Sequence, residues 1–458
     1  MFPAASPEPG APAQAATESR IDIAGIVVVA IYAALQIVLT IAHDPWIDEA
    51  QAWLWATAPL TNLADAFIIP GEGHPPLWHW LLRVLSTVLD FTQARYVALV
   101  IAIFNAWLLT RLLRNETMLL VLFLGSFTII QFWGYHFRPY GLVLTCILSA
   151  LLLDRGGRPI AATWALAVAC ALHFFAGFLL AFWLVWQLSK GTPVVKLLPP
   201  ALVAAVFGIL AILSGLGNAE TDPVYPDLLA GTLYNMGWIG MAEPIKGPLV
   251  AALTVVLLVY GLRSKPLLLG TLLVLLVGFA AGTAAVYGKY PWHAAFMTML
   301  CFIAFMVAGL NAERRWILAI LLAPQMVFGL IGVSQRLAHP VWAMDNLYAE
   351  VVADAGTDFR PERDLVAWPD LAGVTVAAIE DVQLINGNDG TLLGPILWRT
   401  HNVSAFAPVL LERIDPYWLI CALCDEVTDY LKTNGRQLTL LGTKFNVDNG
   451  DFAAYRVD

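Results

Sequence analysis

The chain has 458 residues, 59% of them hydrophobic and only 13% charged, whereas soluble domains are about 45–50% apolar with a charged fraction near a quarter. Together with a mean hydropathy of +0.72, this excludes an ordinary soluble protein and indicates a polytopic α-helical membrane protein. The net charge of −9 lies in one region: residues 335–458 carry 18 acids against 9 Lys and Arg, and the remainder is balanced. An acidic tail argues against nucleic acid and against docking on anionic lipid.

Residues 1–20, rich in Ala and Pro, lack the basic start of a signal peptide and read as a disordered cytoplasmic tail. Ile21–Ala42 is a strong first span that acts as an uncleaved anchor. The first outer loop, 43–92, has no Lys or Arg before residue 74, and its Trp46, Trp53 and Trp55 suit a membrane interface. Asp48–Ala58 reads as a short interfacial helix. Pro76–Asp90 is apolar too, but its fifteen residues rise only about 22 Å, short of a hydrocarbon core of roughly 30 Å. Its His79, Arg83, Ser86, Thr87 and Asp90 share one helical face, so it is expected to lie in the interface.

Further spans are predicted at about 94–110, 117–133, 140–153, 160–174, 175–189, 197–214, 247–262, 267–287, 291–310 and 316–333, about eleven in all with the first. One set of loops then carries eleven Lys and Arg, including Arg111, Arg114, Arg155 and Arg158. The opposite set carries five: Arg83, Arg95, Arg138, Lys246 and Lys289. By the positive-inside rule the N-terminus is cytoplasmic, and the 43–92 loop, Arg138, Lys289 and the tail face outward. The predicted domains are a membrane domain over 21–334 and a small extracytoplasmic α/β domain over 335–458. In the latter, 364–380 mixes β-formers with turn residues, 412–431 has helical spacing, and 437–441 and 452–457 read as strands.

Five cysteines are too few for a disulfide framework. Cys146, Cys170 and Cys301 lie in apolar runs and read as small core residues. Cys421 and Cys424 form a CxxC with no second pair and no nearby His, which favours a local disulfide or two buried thiols over zinc.

The chemistry-bearing residues gather on the outward face. Asp48-Glu49 is either a general-base pair, one carboxylate taking a proton from an acceptor hydroxyl, or a helix N-cap. Glu72 and His74 precede Pro75-Pro76, which stiffens the chain there, and His74 could bond a phosphate or a sugar. Arg138 and Lys289, at outer ends of spans, suit a lipid-linked phosphate, the alternative being contact with lipid headgroups. Tyr135, Tyr140, Trp238, Tyr290 and Trp292 could stack on sugar rings or form an aromatic belt, and His173 sits between two short apolar runs. There is no P-loop, GxGxxG, HExxH or GxSxG, so ATP-driven chemistry and serine hydrolysis have no support.

In their order, three motifs make the chain resemble the GT-C superfamily of membrane glycosyltransferases, within it the protein O-mannosyltransferase and aminoarabinose-transferase-like group. These are the acid pair after the first span (Asp48-Glu49), an HPPL-type motif in the same loop (His74-Pro75-Pro76-Leu77) and an RPY-type motif at an outer span end (Arg138-Pro139-Tyr140). Lys289-Tyr290-Pro291 is a looser fourth. The resemblance covers roughly residues 21–310. It implies an inverting transferase that moves a sugar from a polyprenyl-phosphate donor to an acceptor hydroxyl of a glycan, lipid or protein, at the periplasmic face of a bacterial inner membrane. Asp48 would be the base and Glu49 its neighbour in the acceptor site. Arg138, Lys289 and His74 would meet the donor phosphate, and Glu72, Tyr140, Tyr290, Trp292 and His173 the sugar or acceptor. The leaving group is already a stabilised phosphate, so a divalent metal is compatible with the chemistry but not required by it. The rival readings are a flippase of lipid-linked sugars, which predicts charged or broken helices at the bilayer midplane, and a non-catalytic assembly partner in polysaccharide export.

Overall fold

The computed structural model describes residues 23–216, 227–240, 247–286, 291–338, 344–395, 404–413, 415–446 and 450–458. The chain opens with α1 (Ile23–Ala42), followed by α2 (Ile47–Thr57), α3 (Leu77–Leu85) and α4 (Phe91–Ala94) of the first loop. Then come α5 (Tyr96–Leu112), α6 (Thr117–Leu124), a π-helical turn at Ile129–Gly134, α7 (Tyr140–Arg155), α8 (Pro159–Leu172), α9 (Ala176–Ser189) and α10 (Val194–Gly215). The bundle ends with α11 (Leu228–Gly237), α12 (Pro248–Leu262), α13 (Pro266–Val286), α14 (Pro291–Ala308) and α15 (Ala312–Ala338). Four of these bundle helices open on a proline, Pro159, Pro248, Pro266 and Pro291. Its fixed φ suits the first turn, where its missing N–H is not needed.

Helices occupy each predicted stretch. Among the described residues, five segments are long and apolar enough to cross a membrane: Ile23–Ala42, Phe91–Leu112, Val194–Gly215, Pro266–Val286 and Ala312–Ala338. Their outward faces are apolar, for example Ile23, Ile31 and Ile41 on α1 and Val206, Ile209 and Ile212 on α10. Such surface belongs in lipid rather than water. By contrast α14 is buried all round from His293 to Met306, as an apolar helix at the centre of a bundle must be.

Three expectations about elements are corrected. The run 117–133 is not one helix: it breaks after Gly125, and the π turn follows. The 76–90 helix stops at Leu85, and Asp90 instead caps α4 by accepting from Gln93 N at 2.7 Å. The polar face of α3 does turn away from its apolar one. His79 is buried and Arg83 donates to the Ala58 carbonyl at 2.8 Å, while Leu81 and Val84 are exposed. In the tail, 412–431 is no single helix, because Tyr417–Ala422 is a strand and a left-handed residue, Leu423 (φ 54°), separates it from the helix Cys424–Thr433. A short continuous apolar run fits a buried strand and a helix equally well.

The C-terminal region carries α16 (Met344–Ala355), α17 (Pro361–Asp364), β1 (Leu365–Trp368), α18 (Leu371–Glu380), β2 (Ile385–Asn386), α19 (Val409–Glu412), β3 (Tyr417–Ala422), α20 (Cys424–Thr433), β4 (Leu438–Asn446) and β5 (Gly450–Val457). The sheet order is β2-β1-β3-β5-β4, with β1 parallel to both neighbours and β5 antiparallel to both of its own. The region 364–380 thus resolves into β1 and a fully packed helix, α18. Cys421 and Cys424 form a disulfide. One face of this sheet, with α16 and α18, shares a hydrophobic core with α2 and α3: Ile47, Ala50, Trp53 and Trp78 join Leu347, Leu365, Ala377 and Ile420.

Close helix contact in the bundle depends on small residues. A Cβ at Gly329 of α15 would fall on the Gly125 carbonyl oxygen and lie 3.0 Å from Phe127 N. Gly329→Ala is expected to destabilise the detergent-purified protein by about 1–3 kcal/mol, read as a lowered Tm. An unchanged Tm would mean that α15 does not pack this closely at the helix break.

Candidate active site

Glu49 organises the loop that follows α1. It is fully buried in the first turn of α2. Its Oε2 accepts from Trp46 N at 2.7 Å and pairs with His43 Nε2 at 2.8 Å, and its Oε1 accepts from Phe137 N. The first contact is what a helix N-terminus needs, since its early N–H groups have no intrahelical partner. So the capping considered for Asp48 is performed by Glu49. Burial alone would push the Glu49 carboxyl up, but the His43 charge and hydrogen bond outweigh it and hold the group down at about 2.

The same contacts bind the loop to residues 135–139, just after the π turn. Arg138 Nη1 donates to the Asp48 carbonyl at 2.6 Å, and its Nη2 lies 3.8 Å from Asp48 Oδ2. The Arg138 side chain is 4% exposed and that of Asp48 27%, against 0% for Glu49 and 4% for Glu72. Asp48 is therefore the acid of the group that an outside molecule can reach. Burial raises its pKa, against the opposing Arg138 charge. Arg138 Nε is buried without a protein partner.

The Gly71-Glu72-Gly73 turn requires its glycines. Gly71 and Gly73 have φ of 82° and 60°, the left-handed region that side chains disfavour. The turn docks on the end of α10, where Gly71 N donates to the Ser214 carbonyl at 2.9 Å and a Cβ on Gly215 would come within 3.2 Å of Gly73 Cα. This places Glu72 Oε2 3.7 Å from His74 Nδ1 and 3.9 Å from His79 Nε2. Burial pushes the Glu72 carboxyl up to about 7. Burial, with the Arg138 charge, pushes the His74 imidazole down to about 3, so it is neutral. His74 Nδ1 meets the Glu72 carbonyl at 2.7 Å and is the donor there, leaving Nε2 as a buried acceptor with no protein partner.

Aromatic contacts extend the cluster. The His74 ring lies 5.0 Å from His173, His173 lies 5.3 Å from Tyr140, and His293 lies 6.1 Å from His173. Trp292 meets Trp46 edge-on at 4.6 Å. The structure thus brings together Asp48, Glu49, Glu72, His74, Arg138, Tyr140 and His173, with Trp292 beside Trp46. Lys289 and Tyr290 lie outside the described residues. Trp238 is not a site aromatic: it is buried in the bundle core and stacks with Phe127 at 6.2 Å. Sequence reasoning passed over His43, His79, His136 and His293. His136 and His293 stand next to motifs that were singled out, two residues before Arg138 and one after Trp292.

No family model matches this sequence, and no curated protein matches it. Among solved structures, the chain is similar to the crystal structure of ArnT from Cupriavidus metallidurans bound to undecaprenyl phosphate. The TM-score is 0.54 at 12% identity, over 94% of this chain and 97% of that one. At that identity the likeness is one of fold alone.

The raised Glu72 pKa carries a pH signature. Between the usual carboxylate value of 4.5 and about 7, the folded state binds the extra proton, so this group's contribution to stability falls as pH rises through that window. Glu72→Gln removes the effect. The variant is expected to gain on the wild type between pH 5 and pH 8, by on the order of 2–3 kcal/mol, and to level off above. A pH-independent difference in thermal unfolding would place Glu72 in a wetter setting.

Proposed function

We propose that this protein is an inverting glycosyltransferase that uses a polyprenyl-phosphate sugar, acting on the outer face of a bacterial inner membrane. The carrying observation is the pair formed by the accessible Asp48 carboxylate and the buried Arg138 guanidinium, held side by side on the first outer loop. The fold shared with ArnT, whose crystal structure contains undecaprenyl phosphate, supports a lipid-phosphate donor.

Asp48 takes the proton from the acceptor hydroxyl. The acceptor oxygen attacks the anomeric carbon from the face opposite the phosphate. The bond between that carbon and the phosphate oxygen breaks, and polyprenyl phosphate leaves with the electron pair. Arg138 meets the growing charge on the leaving phosphate through its unpartnered Nε. Its contact with the Asp48 carbonyl fixes base and phosphate at a set spacing. Glu49, with both oxygens engaged, serves as the strut of the loop rather than as an acceptor contact. Neutral His74 and Glu72 line the sugar side, with Tyr140 and His173 behind them. The reading includes about eleven spans with the N-terminus cytoplasmic and the tail periplasmic, as the loop charges require.

Two variants separate chemistry from binding. Asp48→Asn, assayed with a panel of radiolabelled polyprenyl-phosphate sugars and a periplasmic extract, is expected to lose transfer at least ~100-fold while binding polyprenyl phosphate as the wild type does. Arg138→Gln is expected to weaken polyprenyl-phosphate binding about tenfold or more, in line with a lost charge-assisted bond of about 1.5–3 kcal/mol. Full transfer by a folded Asp48→Asn would remove Asp48 as the base.

A further inference from the structure

A second cluster sits behind the acid pair, and catalysis as derived above makes no use of part of it. His43, Glu49 and His136 are all buried, and one ligand atom from each lies within 4.8 Å of the others. The His43 and His136 rings lie 4.7 Å apart and tilt by 30°. An ordinary ion pair accounts for His43 and Glu49, which meet at 2.8 Å. It does not account for His136. That ring is 5% exposed, and neither of its nitrogens has a hydrogen-bond partner. A buried imidazole left so costs about 1–3 kcal/mol, and each such group calls for an explanation.

We propose that His43, Glu49 and His136 form a divalent-metal site of the zinc class, which locks the first outer loop to the segment carrying Arg138. Two imidazoles and one carboxylate are a ligand set suited to zinc and its cobalt and nickel analogues rather than to magnesium or calcium. Ligand atoms around a tetrahedral zinc stand about 3.4 Å apart, given bonds of roughly 2.0–2.2 Å. The cluster reaches that spacing by small side-chain shifts. The metal replaces the proton shared by His43 and Glu49, and it takes a lone pair from His136. The outer contacts such a site needs are present, because Trp46 N and Phe137 N both donate to the Glu49 carboxylate and fix its orientation. The chain geometry gives the metal a positioning role. Asp48 adjoins one ligand in sequence, and Arg138 is two residues from another. The ion would therefore set the spacing between them without touching substrate.

The site is tested on the metal itself, independently of any sugar donor. Full-length protein in detergent is stripped with EDTA and titrated with Zn2+ alone and with Co2+ alone. Wild type is expected to retain one zinc per chain through gel filtration and, with cobalt, to give the strong visible absorption of a four-coordinate ion. His136→Ala is expected to bind zinc at least tenfold more weakly. His136→Cys is expected to keep the metal and to add a thiolate-to-cobalt charge-transfer band, bleached by zinc. That band identifies the ligand directly even if the alanine variant does not fold. A wild type that retains no zinc overturns the proposal. So does a cysteine variant that binds cobalt without the thiolate band, which would move the metal to another cluster, such as Glu72 with His74 and His79. Either failure leaves the transferase reading intact, because that reading rests on Asp48 and Arg138.

Discussion

The buried carboxylate of Glu49 is the constraint on which the rest of the site depends. A charged group without water must find its partners inside the protein, and Glu49 finds three of them: His43 before α2, Trp46 at its start, and Phe137 some ninety residues later. Satisfying one charge therefore ties two distant pieces of backbone together. Asp48 and Arg138 flank these contacts in sequence, and their placement follows from them. Secondary structure alone would not fix it, because the 135–139 segment is irregular backbone between a π turn and α7.

Three acids in one loop are driven to three different states by their surroundings. Glu49 is held ionised by His43 and two backbone N–H groups. Glu72 is pushed toward neutrality by burial beside neutral histidines. Asp48 keeps partial access to the outside and a cation close by. The sequence order Asp-Glu gives no hint of this division of labour. Burial and the direction in which each side chain leaves the backbone produce it.

The gross architecture was legible because membrane spans announce themselves by length and composition. The apolar runs around Ile23–Ala42, Val194–Gly215 and Pro266–Val286 are helices long and apolar enough to cross a membrane. The short, two-faced character of α3 was also readable, from the arithmetic of rise and the polar face through His79 and Arg83. The tail was read less well: Tyr417–Ala422 packs into a sheet whose partners lie far along the chain, and local spacing does not report such pairing. At the site, Asp48, His74 and Arg138 stood out by their motifs. His43 and His136 did not, since single histidines beside apolar residues are common. What distinguishes them is their convergence across more than ninety residues of sequence.

The packing of α18 against the back of α2 has a consequence for how the protein unfolds. Ile47, Ala50 and Trp53 have their apolar partners in the C-terminal region, at Leu347, Leu365 and Ala377. Two regions that share one core melt as a single cooperative unit. The helix that carries the acid pair thus borrows its rigidity from a sheet far along the chain. Loosening that sheet, even at a strand that does not touch α2, raises the fraction of molecules in which Asp48 is out of place. The C-terminal region is in this sense the thermodynamic keystone of the loop that follows α1.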